Sequence, residues 1–143
     1  MATCEVFEFA LAERCQTRLW FSEKASKELV RFLKRSDPHK AFIKRLKRCS
    51  ENGFLNFEAG ESPMVKPEWG GVYRFGILES LFRLIGFYED ASKQSFIVID
   101  TLMKRGQSLS KADRARIDEI AAIKKGRLWR KVTDEKDFPR LAR

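Results

Sequence analysis

The chain has 143 residues, 43% of them hydrophobic and 12% aromatic, with a formal net charge of +9. That length and apolar content suit one compact domain with its own core, spanning residues 1–143. Three scattered cysteines and one histidine, His39, give no CxxC, no HxxxH and no zinc set, so neither a metal nor a cofactor is expected.

No apolar run approaches the roughly 20 residues of a membrane span. The first ten residues, MATCEVFEFA, lack the basic leader of a signal peptide. The expectation is a soluble cytoplasmic protein with reduced thiols and no membrane partner. A basic excess spread along the chain concentrates polyanions at the surface and speeds encounter with nucleic acid or an acidic partner. The plain alternative is a solubilising surface.

In chain order, residues 4–10 (CEVFEFA) and 17–21 (TRLWF) predict two short strands. Ser22 then reads as a helix N-cap, because Ala25, Leu29, Phe32 and Leu33 follow at helical spacing. Ser36-Asp37-Pro38 breaks that helix, and Asp37 with Pro38 starts a second that ends at Asn52-Gly53. Its apolar stripe is Phe42, Leu46 and Cys49. Its other face carries Lys40, Lys44, Arg45, Lys47 and Arg48, which reads either as solvated surface or as a nucleic-acid contact. The two helices form a hairpin able to cover one face of a sheet. Residues 54–67, with Pro63 and Pro67 and no clear period, predict a loop closed by Trp69-Gly70-Gly71.

Three apolar runs follow: 72–78 (VYRFGIL), 81–88 (LFRLIGFY) and 96–103 (FIVIDTLM). Each is rich in Val, Ile, Phe and Tyr, and the separators are hairpin-sized, so three consecutive antiparallel strands are expected. The last two runs are apolar at odd and even positions alike, as in strands covered on both faces. Past a polar connection, Ser110 and Asp113 have the layout of a capping box for a helix that reaches about Lys125 and stops at Gly126. Within the basic tail 126–143, residues 128–132 either add a strand or pack as an arm.

Arg74, Arg83 and Arg105 stand out in this apolar stretch, since an unpaired buried guanidinium costs several kcal/mol. Each requires a carboxylate, a solvent opening or an anionic ligand. A two-residue loop at Leu78-Glu79 would set Arg74 opposite Arg83, where two cations repel unless an anion lies between them. A four-residue loop 90–93 would set Asp100 opposite Arg83 and neutralise it. A slip of one residue undoes either register.

The succession of two helices, GGVYRF, LFRLIGFYE and FIVIDTLMKRGQSLSKADRARIDEIAAI resembles the RelE/ParE-like toxin superfamily, in particular its HigB-type and phage-derived branch. The resemblance covers about 17–125, leaving the strand 4–10 and the tail 126–143 as additions. It implies an α+β fold: a small, antiparallel-rich twisted sheet with an N-terminal helical hairpin and a C-terminal helix. It also implies the toxin of a type II toxin–antitoxin system, a metal-independent, ribosome-dependent mRNA endoribonuclease that inhibits translation. The expected partners are mRNA on the ribosome and a cognate antitoxin, usually of helix-turn-helix type.

On this resemblance Arg83, Lys104 and Arg105 fall where the family's catalytic cations lie. Arg74 and Lys111, with Lys44, Lys47 and Arg48 of the second helix, are candidate RNA- and phosphate-binding residues. Trp129 is either a stacking surface or a packing residue. Cleavage requires a base at the 2′-OH, cations at the developing phosphorane and an acid for the 5′-oxygen. The Tyr or His that many members carry is missing from 107–125, where only Ser110 and Lys111 stand in that region, so no base is assigned. Two alternatives need none: a non-enzymatic ParE-like toxin of DNA gyrase, and an inactive basic RNA- or protein-binding relative.

Overall fold

In the computed structural model, residues 3–35, 39–60, 63–104 and 108–133 are described. The elements in order are β1 (Cys4–Glu8), β2 (Arg18–Ser22), α1 (Glu23–Arg35), α2 (His39–Asn52), a 3-10 turn (Phe54–Phe57), β3 (Val65–Pro67), β4 (Tyr73–Phe75), β5 (Phe82–Tyr88), β6 (Ser95–Met103), α3 (Lys111–Gly126) and β7 (Trp129–Val132). The seven strands form one sheet in the order β3-β4-β5-β6-β2-β1-β7. The fold is α+β.

The central antiparallel strands β4, β5 and β6 are those the three apolar runs predict. The expectation of a small antiparallel-rich sheet opened by a helical hairpin is corrected. Two strands precede the hairpin, and the sheet is mixed, with β2 parallel to β6 and β1 parallel to β7. Parallel neighbours need long crossovers, here running through α1–α2 and through α3, so no local turn signal announces them. The span 54–67 is likewise more than a loop, since it holds the 3-10 turn and the edge strand β3.

Helices cover both faces. Under α1 and α2 lies a Phe-rich core that includes Leu29, Phe42, Leu46, Phe54, Phe75, Phe82, Leu84 and Phe96. Phe32 stacks on Phe82 with ring centroids 4.3 Å apart, and Phe42 meets Phe75 edge to face at 5.3 Å. Under α3 lies a more aliphatic core: Val6, Trp20, Ile85, Ile97, Ile99, Leu102, Ile117 and Ile120. Burial from both sides explains why β5 and β6 show no polar alternation.

The caps predicted at Ser22 and Ser110 form. Ser22 Oγ accepts from Ala25 N at 3.0 Å, and Ser110 Oγ accepts from Asp113 N at 3.1 Å. The last helix ends one residue later than expected, because Arg127, not a glycine, takes the left-handed conformation at φ 51°.

The register differs from both expectations. Arg74 pairs with Ile85, not Arg83, and Arg83 pairs with Leu102, not Asp100. The turn between β4 and β5 is wider than two residues, with Ser80 N bonded to Ile77 O and Ser80 Oγ accepting from Phe82 N. In β6 the pairing jumps from Val98 to Asp100, so Ile99 is an extra residue, a β-bulge. Its polar groups are closed locally: Ser22 Oγ donates to Ile99 O at 2.6 Å, and Asp100 Oδ1 accepts from Thr101 N at 2.7 Å.

Candidate functional site

A cleft of about 480 Å³ opens between the second half of α2 and the β3–β4–β5 edge. Arg45 and Arg48 line it from α2, Lys66 from β3, Arg74 from β4, Arg83 from β5 and Lys104 from just past β6. Glu79 is the only carboxylate among the described lining residues, and Arg45 holds it in an ion pair. Strand pairing and the β4–β5 turn bring these groups together. Lys66 lies directly across from Arg74 in the β3–β4 pair, Gly76 faces Arg83, and Lys104 N bonds Leu81 O at the neck of the β4–β5 turn.

Arg83 is the focus. Its Nη1 donates to three main-chain carbonyls, Ser80 O at 2.5 Å, Phe82 O at 2.9 Å and Ile77 O at 3.4 Å. Those carbonyls belong to the β4–β5 turn and the start of β5, so the turn fixes the guanidinium in place. Gly76 makes room for it, since a Cβ there would fall 2.2 Å from Arg83 Cδ. Among the described residues no carboxylate pairs with Arg83, and its Nε and Nη2 make no hydrogen bond. Half-buried and held by one nitrogen, it presents the remaining donors of a rigid fork suited to phosphate. Asp100, expected as its partner, instead bonds Lys24 at 2.9 Å.

Arg74 is different. It is buried and its Nε lies 3.2 Å from Glu68 Oε1, itself largely buried, so it is neutralised in place. Its charge is still felt nearby. Burial, then the neighbouring Arg74, pushes the Arg83 pKa down. Burial followed by Arg74, Lys66 and Arg83 pushes Lys104 down, with only Glu68 opposing. Burial leads both shifts, and after it come cations crowded together beyond what local acids offset, a condition that an anion relieves.

The structure brings together Arg74, Arg83, Lys104 and Arg48 of the residues singled out in the sequence. It separates others. Lys44 and Lys47 are exposed on α2 but do not line the cleft, and Lys111 is exposed in the first turn of α3. Trp129 lies on the far edge strand β7, its ring 5.0 Å from Phe87 and under the Arg127 guanidinium at 5.4 Å, which is a packed position. Arg105, Asp37, Pro38 and the side chain of His39 lie outside the described residues. Sequence reasoning missed Lys66 and Glu79, and gave Arg45 no role beyond the basic face. Lys66 stands between Pro63 and Pro67, where the prolines hid a three-residue strand.

Leu78, which lines the cleft, is 80% exposed, and Leu81 at 52% and Met103 at 46% are exposed at the neighbouring strand ends. A second cleft of about 470 Å³ lies between the start of α1 and α3, lined by Glu5, Glu23, Lys24, Asp100, Arg116 and Glu119 over Ile99, Ile120 and Ile123. Elsewhere Tyr88 Oη donates to Glu58 at 2.5 Å, and Lys93 bonds the same carboxylate and lies over the Tyr88 ring at 4.9 Å. Burial and then the Glu58 contact push the Tyr88 phenol pKa up, so this cluster clamps the fold and offers no base. Burial pushes the Cys49 thiol up to about 12, which leaves it inert. Among the described residues no group of three or more His, Cys, Asp or Glu could hold a metal, and no helix is long and apolar enough to cross a membrane. Comparison with protein-family models, curated proteins and solved structures found no match.

Proposed function

We propose that this chain binds RNA phosphates in the Arg83 cleft and is the toxin of a type II toxin–antitoxin pair, halting translation by acting on mRNA at the ribosome. The observation that supports it is the carboxylate-free Arg83 guanidinium, fixed by main-chain carbonyls among Lys66, Arg74 and Lys104. RNA backbone supplies the anions that such a cluster lacks.

For strand cleavage the same cations stabilise the phosphorane formed when the 2′-oxygen attacks phosphorus. Glu79 is the lining carboxylate able to take the 2′-OH proton, and Lys104, with its depressed pKa, is the donor to the departing 5′-oxygen. The antitoxin, of helix-turn-helix type in this reading, covers the cleft with an acidic amphipathic segment whose apolar side meets Leu78, Leu81 and Met103.

Controlled expression with mapping of transcript ends, together with RNA binding by the purified chain, tests the proposal. The expected result is growth arrest with mRNA cut or blocked, and RNA affinity about 10- to 100-fold lower in Arg83→Ala, which removes a charge-assisted hydrogen bond. Unchanged growth with uncut mRNA, or equal binding by Arg83→Ala, refutes it.

The second reading is inhibition by binding alone, as in a ParE-like poison of gyrase. It is favoured by the absence of His and Tyr from the described lining. A supercoiling assay separates the two, since the mRNA reading expects gyrase to be unaffected.

A further inference from the structure

We propose that Trp69 is a stacking platform for an unpaired base, so that the cleft takes single-stranded rather than duplex RNA. The inference rests on the reading of the cleft as an RNA phosphate site.

The three tryptophans are used differently. Trp20 is buried with the Lys131 ammonium over its ring at 4.7 Å, and Trp129 packs against Phe87 and Arg127. Trp69 is 39% exposed, and among the described residues no ring or cation contacts its face. Its edge is nevertheless fixed, because Nε1 donates to Asp118 Oδ1 of α3 at 2.7 Å. The turn that carries it is pressed onto the same helix. A Cβ at Gly70, where φ is +66°, would meet Ala121 Cβ at 2.7 Å, and one at Gly71 would meet Lys124 Nζ at 3.1 Å. The indole is therefore held by one edge and partly exposed, with an ammonium close to its turn.

Its turn joins two strands that supply cations to the cleft. Lys66 and Arg74 are cross-strand partners in the β3–β4 hairpin whose turn bears Trp69. Trp69 follows Lys66 by three positions in the chain, which keeps their Cα atoms within about 11 Å of each other. A backbone gripped in the cleft can lay a neighbouring base on the ring only if that base is free of its helical stack.

Binding of the full chain to a labelled ten-nucleotide RNA, the same strand with abasic sites, a matched RNA duplex and inorganic polyphosphate tests this. The wild type is expected to prefer the single strand to the duplex. Trp69→Ala weakens binding to the intact strand by about 5- to 150-fold, Trp69→Phe retains most of it, and the abasic strand and polyphosphate bind wild type and Trp69→Ala equally. Equal binding of the intact strand by wild type and Trp69→Ala, with polyphosphate still bound, overturns the stacking role alone. A parallel loss of polyphosphate binding in Trp69→Ala also overturns it, by showing that the indole serves only to hold the turn. If the wild type binds neither RNA nor polyphosphate, the cleft reading falls and this inference with it.

Discussion

The two clefts have almost the same volume, about 480 and 470 Å³, but opposite electrostatics. The first is lined by six cations and one carboxylate, the second by four carboxylates and two cations. In the second, Lys24 and Asp100 neutralise each other at 2.9 Å and Arg116 bonds Thr101 O at 3.2 Å. In the first, a main-chain cage holds Arg83 while its charge stays uncompensated by any described acid. Cavity size therefore does not distinguish a site on this molecule, whereas the balance of fixed charge does.

The largest expected difference between the clefts appears when one partner is removed from an ion pair in each. Arg74→Ala strands the largely buried Glu68 and is expected to cost about 3–5 kcal/mol. Lys24→Ala removes a side chain that is 63% exposed, and Asp100 keeps its bond from Thr101 N, so the cost stays below about 1 kcal/mol. Chemical denaturation of both variants checks this, and similar losses would show that the two pairs are equivalent. A smaller effect separates the clefts by function. Lys66→Ala should flatten the salt dependence of single-stranded RNA binding by about 0.7 in log–log slope, the amount expected when the protein neutralises one phosphate fewer. Lys24→Ala should leave that slope unchanged.

The smallest effect is titration of Lys104. Its folded-state pKa is depressed, so between that value and the ordinary lysine value the unfolded chain holds more protons and stability rises with pH. Below both values the destabilisation, from burial first and then from neighbouring cations, is fully present. Bound phosphate should raise the Lys104 pKa again. Following the lysine ε-methylene resonances against pH, with and without polyphosphate, measures both directions.

Much of the architecture could be read from residues whose signals are local. Ser22 and Ser110 mark helix starts because a hydroxyl there completes the first turn, and the three apolar runs mark β4, β5 and β6. What could not be read depends on distant partners. Nothing near Arg18 or Cys4 announces parallel pairing with Ser95 or Trp129. The bulge at Ile99 looks in sequence like one more apolar strand residue; together with a β5–β6 loop one residue longer than the four expected, it carried Asp100 two positions away from Arg83. Of the site, the cations on strands were legible as misfits in apolar runs. Lys66 was not, because its strand is three residues long and ends at a proline. Trp69 read as a loop residue, since only the fold shows that α3 grips its edge.

The bulge also acts as a phase counter. Before it, Val98 faces the Phe-rich core and Ile97 the core under α3. After it, Asp100 and Leu102 share the side of Ile85 and Arg83. Were Ile99 paired regularly with Ile85 instead of bulged, Asp100 would stand opposite Leu84, its carboxylate turned into the aromatic interior, and the end of β6 would be rotated half a turn relative to β5. Drawing Ile99 into the regular ladder would thus turn Lys104 away from Arg83 while leaving every cation of the cleft in the sequence.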